Sequence, residues 1–257
     1  MSRLPLLLLN TLTFIGTIYV NYFFASGAGG QDTVGEVSDK YLTLITPAGY
    51  AFSIWGLIYL LLLGFLIFQW VEFARGWKNV SLEKSGLWFA GSNLLNGLWI
   101  VVWTNEWLAL SVLVIFLLLF CLIQLVIRLR LEIWEAPKPV IFFVWWPICI
   151  YIGWITLACV INAAAVLKSS FPAVDVFSEQ IWTGVMIGVS VMIYLAMTFK
   201  RNLREAALVG VWGLAAIAYR HWDTLPELAV TAVAGAGILL AASSYHAFIN
   251  RKTSPFL

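Results

Sequence analysis

The feature that most limits what this chain can fold into is an apolar run close to 20 residues long that returns eight times. A helix rises ~1.5 Å per residue, so such a run matches a hydrocarbon core ~30 Å thick. No water reaches backbone amides there, so each run must satisfy its own hydrogen bonds as a helix. The runs cover about 4–25, 47–70, 84–104, 107–128, 139–166, 179–199, 204–220 and 226–249. The seventh is the shortest, and its core from Ala206 to Tyr219 is rich in Ala and Gly. Only 11% of the residues are charged, against about a quarter in a soluble domain. The expected fold class is an all-α polytopic membrane protein with eight spans. Arg3 ahead of an apolar run resembles the start of a signal peptide. The run from Leu4 to about Phe24 is longer than a signal core of ~7–15 residues, so it is taken as the first span.

Charge placement supports the count. Eight spans put both termini on one side of the membrane. On that side fall Arg3, Arg75, Lys78, Lys84, Arg128, Arg130, Lys138, Lys200, Arg201, Arg204, Arg251 and Lys252, 12 of the 15 basic residues. Only Lys40, Lys168 and Arg220 fall opposite. Basic residues collect in the cytoplasm, so both termini are expected there, in a bacterial cell membrane. Omitting the seventh span would move Arg251 and Lys252 outside and spoil the pattern. A net charge of +2 with no basic stripe excludes a nucleic-acid partner.

The longest connection, Ala25 to Thr46, lies on the non-cytoplasmic side. Its first half is glycine-rich and polar, and Tyr41, Leu42, Leu44 and Ile45 give its second half something to bury, which suits a lid. Lys168 to Glu179 separates a tryptophan-rich part, residues 1–168, from a part rich in Ala and Gly, residues 169–257. In the latter, Gly184 with Gly188, and the run Ala234 to Gly237, have the small-residue spacing of helix–helix contacts. Cys121, Cys149 and Cys159 lie in apolar runs and read as small buried hydrophobes.

Three stripes carry the functional signal. Thr46 and Pro47 form a helix-start pair, and beyond them Phe52, Trp55 and Tyr59 fall at i, i+3 and i+7 on one face. In the third run Asn96, Trp99 and Trp103 repeat the spacing, with Asn93 one turn earlier. In the fifth, Trp154, Ala158 and Asn162 fall at i, i+4 and i+8. An unpaired asparagine amide in hydrocarbon costs several kcal/mol, so each must find another helix or a ligand. Interhelical glue with aromatic packing is one reading; a shared pocket for a flat apolar ligand is the other.

These motifs resemble the TspO/MBR family of tryptophan-rich sensory and translocator proteins. Pro47, Phe52 and Trp55-Gly56-Leu57-Ile58-Tyr59 match the family's second helix, with Ile for the usual Leu. Gly91-Ser92-Asn93-Leu94-Leu95-Asn96-Gly97-Leu98-Trp99 is similar to its third, and Trp154, Ala158 and Asn162 to its fifth. The resemblance implies a five-helix bundle enclosing a pocket for porphyrins, sterols or synthetic aromatic ligands. It implies that Trp55, Asn96, Trp154 and Ala158 line that pocket, with Pro47, Phe52, Tyr59, Trp99 and Asn162 as neighbours on the stripes. It also implies a homodimer by analogy. The first loop lacks the family's tryptophans, and three runs follow the five-helix region.

The expected function is therefore a membrane sensor, receptor or transporter whose partners are the bilayer and a small apolar ligand. No cofactor is required; a bound porphyrin or haem is the candidate. A porphyrin-modifying catalyst in the same pocket, and a structural or partner-binding subunit, are the alternatives. No Asp, Glu, Lys or Arg sits centrally in a run, which argues against ion-coupled transport. His221 and His246 are expected as a solvated loop residue and a headgroup-level residue at opposite ends of the eighth span, too far apart to share a metal. No nucleophile–base pair is visible.

Overall fold

A computed structural model describes residues 3–25, 27–77, 80–170 and 176–250. Among the described residues all regular structure is helical. In chain order it comprises α1 (Arg3–Val20), α2 (Val34–Lys40), α3 (Ile54–Ala74), α4 (Val80–Ser85), α5 (Leu87–Thr104) and α6 (Leu108–Arg128). Then follow α7 (Lys138–Val140), α8 (Trp146–Ser170), α9 (Val176–Arg201), α10 (Arg204–His221) and α11 (Pro226–Ile249). A π-helical turn, Asn21–Ala25, extends α1; a 3₁₀ turn, Gly49–Ser53, leads into α3; a second π turn, Ile141–Trp145, joins α7 to α8.

Among the described residues six helical stretches are long and apolar enough to cross a membrane: Arg3–Phe24, Gly49–Ala74, Leu108–Arg128, Lys138–Ser170, Ser178–Arg201 and Pro226–Ile249. The protein is an integral, multi-pass membrane protein. The third and seventh runs also form helices, α5 and α10, each of 18 residues. They stand apart from the six because Asn93 and Asn96 dilute α5, while Arg204, Glu205 and Arg220 charge the ends of α10.

The outer faces explain the packing. Leu57, Leu60, Leu63 and Ile67 of α3 are exposed, while Ile58, Leu62 and Phe65 on its other face are buried. Both faces are apolar, so no water-facing side exists, as expected of a helix between lipid and protein. α1 packs on α3 and α5, α5 on α6, α6 on α8, and α8 returns to α3, closing a ring of five helices. Polar pairs fix the ring: the Asn10 amide donates to Gln69 Oε1 (3.0 Å), and the Thr17 hydroxyl to the Asn93 carbonyl (2.6 Å). α10 lies against α8, with α9 and α11 packed on it.

The α8–α10 contact is close because both helices present small residues. A Cβ on Gly153 would lie 2.9 Å from the Ala206 Cα and carbonyl oxygen. The Tyr194 hydroxyl of α9 donates to the Gly153 carbonyl at 2.7 Å. The small residues of the last helices divide unexpectedly. Gly235 meets Val191 and Leu214, whereas Gly184, Gly188 and Gly237 have nothing within 4 Å of where a Cβ would stand. The Gly184–Gly188 pair is therefore no helix contact; its face is turned away from the packed side of α9. The boundary region Lys168 to Glu179 lies partly outside the described residues, and Lys168 pairs with the Glu179 carboxylate across it at 3.0 Å.

The start of α3 differs from the expected Thr46 cap. The Thr46 hydroxyl accepts from the Thr43 amide at 3.0 Å, closing a turn rather than capping a helix. Regular α-helix begins only at Ile54. The reason is α10: the Ala48 amide donates to the Ala216 carbonyl (3.1 Å), the Trp212 indole to the Ala51 carbonyl (3.2 Å) and Arg220 to the Pro47 carbonyl (2.9 Å). The backbone of residues 47–51 bonds outward, so the helix starts late.

Candidate ligand-binding site

The connection after α1 folds over one end of the ring. Gly27 and Gly30, at φ +70° and +80°, turn the chain back where a side chain would be strained. Thr33 and Glu36 then form a reciprocal capping box that starts α2. Val34 and Val37 are buried under it. Side chains from three neighbouring elements pin the segment. Lys40 pairs with Asp32 and with Glu106 (2.7 Å), and the Tyr41 hydroxyl donates to Glu106 at 2.6 Å. Glu179 accepts from the Leu44 amide (3.0 Å), and Arg220 reaches Asp39 (2.8 Å). These bonds hold the Glu106 carboxyl below its ordinary range, the Lys40 hydrogen bond most of all and the Tyr41 one next.

Beneath this cap the three stripes meet. Trp55 stacks on Tyr59 at 5.4 Å between ring centres and stands edge-on to Tyr151 and Trp154, at 6.0 and 6.4 Å. Phe52 meets Trp154 edge-on at 6.0 Å, and Trp99 stacks on Trp103 at 5.7 Å. Between them lies a cavity of about 30 Å³, walled by Phe52, Trp55, Trp99, Trp103 and Trp154, with Ala158 and Asn162 from α8 and Val34 and Ser38 from α2. That is room for about one water molecule. A half-open recess of about 400 Å³ shares Phe52, Trp55 and Val34 with it and continues past Tyr59 to Asn21. Phe52, Trp55 and Val34 thus border both spaces.

Asn96 and Asn162 are satisfied within the protein. Asn96 Oδ1 accepts from the Tyr59 hydroxyl and the Asn21 amide, both at 3.1 Å, and its own amide donates to the Tyr151 hydroxyl at 2.9 Å. One residue knots α1's π turn, α3, α5 and α8. Asn162 Oδ1 accepts from the Trp99 indole (2.9 Å), and its amide donates to Ser111 of α6 (2.8 Å). Trp103 donates to the Val34 carbonyl at 3.2 Å, tying the cavity wall to the cap. Trp154 differs. It is 1% exposed, it lines the cavity, and among the described lining residues its indole N–H is the one buried donor without a partner.

The chain matches the family described as TSPO-like protein over residues 7–245. It belongs to that family. The match runs past residue 168, through α9 and α10 and into α11. No curated protein and no solved structure matches the chain significantly.

For this TSPO-like protein, the structure brings Phe52, Trp55, Trp99, Trp154, Ala158 and Asn162 to the inner cavity and Tyr59 to the outer recess. Asn96 and Pro47 line neither: the first is the four-helix knot, and the carbonyl of the second is held by Arg220. The cavity also takes in Trp103, which the sequence places on the Asn96–Trp99 stripe, and Val34 and Ser38, which the sequence does not single out because they belong to a cap whose fold depends on distant partners. His221 corrects the expectation of a solvated loop residue. It ends α10 at 6% exposure, its ring 2.9 Å from the Leu44 carbonyl, because the cap segment covers it. His246 is likewise buried, against Phe199. None of the residues lining the cavity is ionisable. The wall can stack and exclude water, and Trp154 can donate one hydrogen bond.

Proposed function

We propose that this TSPO-like protein binds a flat, apolar ligand of the tetrapyrrole or sterol-like class in the tryptophan-lined cavity, as a membrane sensor or transporter. A membrane sensing or transport role in general accords with the family. The observation that carries the finer reading is the unpaired indole N–H of Trp154 in an aromatic, uncharged wall. A buried donor without a partner costs about 1–3 kcal/mol, and a ligand acceptor would remove that cost. The inner space is too small for a tetrapyrrole. The ligand enters from the recess and turns the Phe52 and Trp55 side chains aside, joining the two volumes. α2 closes over it.

The eight long helices, α1, α3, α5, α6 and α8 to α11, all cross the membrane in this reading, with both termini cytoplasmic and the α2 cap outside. Residues 1–168 enclose the pocket and residues 169–257 brace it. The support is the set of three bonds from α10 to residues 47–51, immediately before Phe52 and Trp55 on the chain.

Protoporphyrin IX added to purified protein should quench tryptophan fluorescence. Trp154→Phe keeps the ring stacking and removes the donor, so the dissociation constant should rise about two- to tenfold, the worth of one hydrogen bond. Quenching that is absent in the wild type, or unchanged by both Trp154→Phe and Trp55→Ala, would refute the pocket.

A further inference from the structure

A second cluster lies on the side of the α6–α7 and α9–α10 connections. Glu132 follows α6, Cys149 lies within α8, and Glu205 lies in the first turn of α10. One carboxylate oxygen from each glutamate and the Cys149 thiol all lie within 4.8 Å of one another. Cys149 is 0% exposed, and among the described residues its thiol makes no hydrogen bond. Glu205 Oε2 is a buried oxygen without a partner. Arg204 is adjacent in the chain, yet among the described residues neither glutamate forms an ion pair with it. Two acids and a thiol thus face one another, with the Arg204 guanidinium near enough to act on all three but bonded to neither carboxylate. The Asn202 amide donates to the Glu132 carbonyl at 2.7 Å, which holds the two connections together around the cluster.

We infer that Glu132, Cys149 and Glu205 form a binding site for a divalent transition-metal ion of the zinc class. In a tetrahedral site a Zn–S bond of ~2.3 Å and Zn–O bonds of ~2.1 Å set neighbouring ligand atoms ~3.4–3.6 Å apart. The three groups, within 4.8 Å of one another, reach that spacing by a closure of up to roughly 1 Å, within the swing of a glutamate side chain. Thiolate and carboxylate together suit Zn²⁺ or Co²⁺, while Mg²⁺ and Ca²⁺ prefer oxygen alone. Binding releases the thiol proton, and three protein ligands leave a fourth position for water. The ion would join the five-helix ring, through Glu132 and Cys149, to α10. That helix also braces the start of α3.

The test uses full-length protein stripped with a chelator and titrated with Co²⁺, then Zn²⁺. One equivalent of Co²⁺ should give a thiolate-to-cobalt charge-transfer band in the near ultraviolet, and Zn²⁺ should displace it. Cys149→Ser should abolish the band, whereas Cys121→Ser and Cys159→Ser should keep it. Glu132→Gln, in a connection where folding is least at risk, should weaken Co²⁺ binding about tenfold or more and leave protoporphyrin quenching unchanged. Zn²⁺ should raise the unfolding temperature of the wild type and not of Glu132→Gln. No band, a band that survives Cys149→Ser, or equal binding by Glu132→Gln would overturn the site and mean that the two acids share a proton instead.

Discussion

Asn96→Leu tests whether the amide that the stripe pattern singled out is structural. Leucine is close in volume, so the change removes polarity more than packing. Three hydrogen bonds are lost: two accepted from Tyr59 and Asn21, and one donated to Tyr151. Interhelical hydrogen bonds within a membrane average ~0.6 kcal/mol each, which gives about 2 kcal/mol for the knot. Tyr151 is only 1% exposed and loses its partner; an unsatisfied buried group adds about 1–3 kcal/mol. The expected destabilisation is therefore about 3–5 kcal/mol, measured as reversible unfolding in mixed micelles of a mild and a denaturing detergent. Tyr59→Phe should lose one bond only, about 0.6 kcal/mol. The double variant should be markedly less than additive, because the two changes share that bond. A loss below about 1 kcal/mol for Asn96→Leu, or strict additivity, would refute the knot and return Asn96 to the list of ligand groups.

Other consequences can be checked separately. Gly153→Ala places a methyl 2.9 Å from the Ala206 backbone, where nothing flexible can yield. It should cost about 1–3 kcal/mol and loosen α10 from α8, read as faster hydrogen exchange at the Ala48 amide, which bonds to α10. Gly184→Ala meets open space. It should be neutral or stabilise α9 by a few tenths of a kcal/mol up to about 1 kcal/mol in the same unfolding assay. Thr33→Ala removes the capping box of α2 and should destabilise the cap by about 1 kcal/mol, seen as exchange confined to Val34–Lys40. The cap should also respond to pH. The Glu106 carboxyl is depressed in the fold, chiefly by Lys40. Its contribution is present above the ordinary carboxylate range and lost as pH falls through the lowered value. Lys40 is raised by Asp32 first, then by Glu106, so its contribution is lost only in strong alkali. Exchange at α2 should therefore be slow at neutral pH and rise in acid, and Glu106→Gln should remove that rise.

Much of this architecture was readable because hydrocarbon leaves few options. Apolar runs near 20 residues located every long helix, though α3 and α8 begin seven residues later than their runs, and i, i+3, i+7 spacing alone put Phe52, Trp55 and Tyr59 on one face. What spacing cannot supply is a partner's identity. Asn96 and Asn162 looked equally suited to glue or ligand. The decision rests on Tyr59, Asn21, Tyr151 and Ser111, from helices up to 75 residues away in the chain. The late start of α3 and the burial of His221 share one cause, the seating of α10 against residues 44–51. Local propensity at Thr46-Pro47 or His221 carries no trace of it. The Gly184–Gly188 spacing failed for the converse reason: a small-residue face permits close approach but does not summon a neighbour.

The most direct test of the ligand pocket is a structure of the protein with protoporphyrin IX bound. Ligand density should lie between Trp55, Trp99 and Trp154, with an acceptor atom within hydrogen-bond reach of Trp154 Nε1 and the Phe52 and Trp55 side chains turned aside. Density elsewhere, with those side chains unmoved and the Trp154 indole still unpaired, would contradict it.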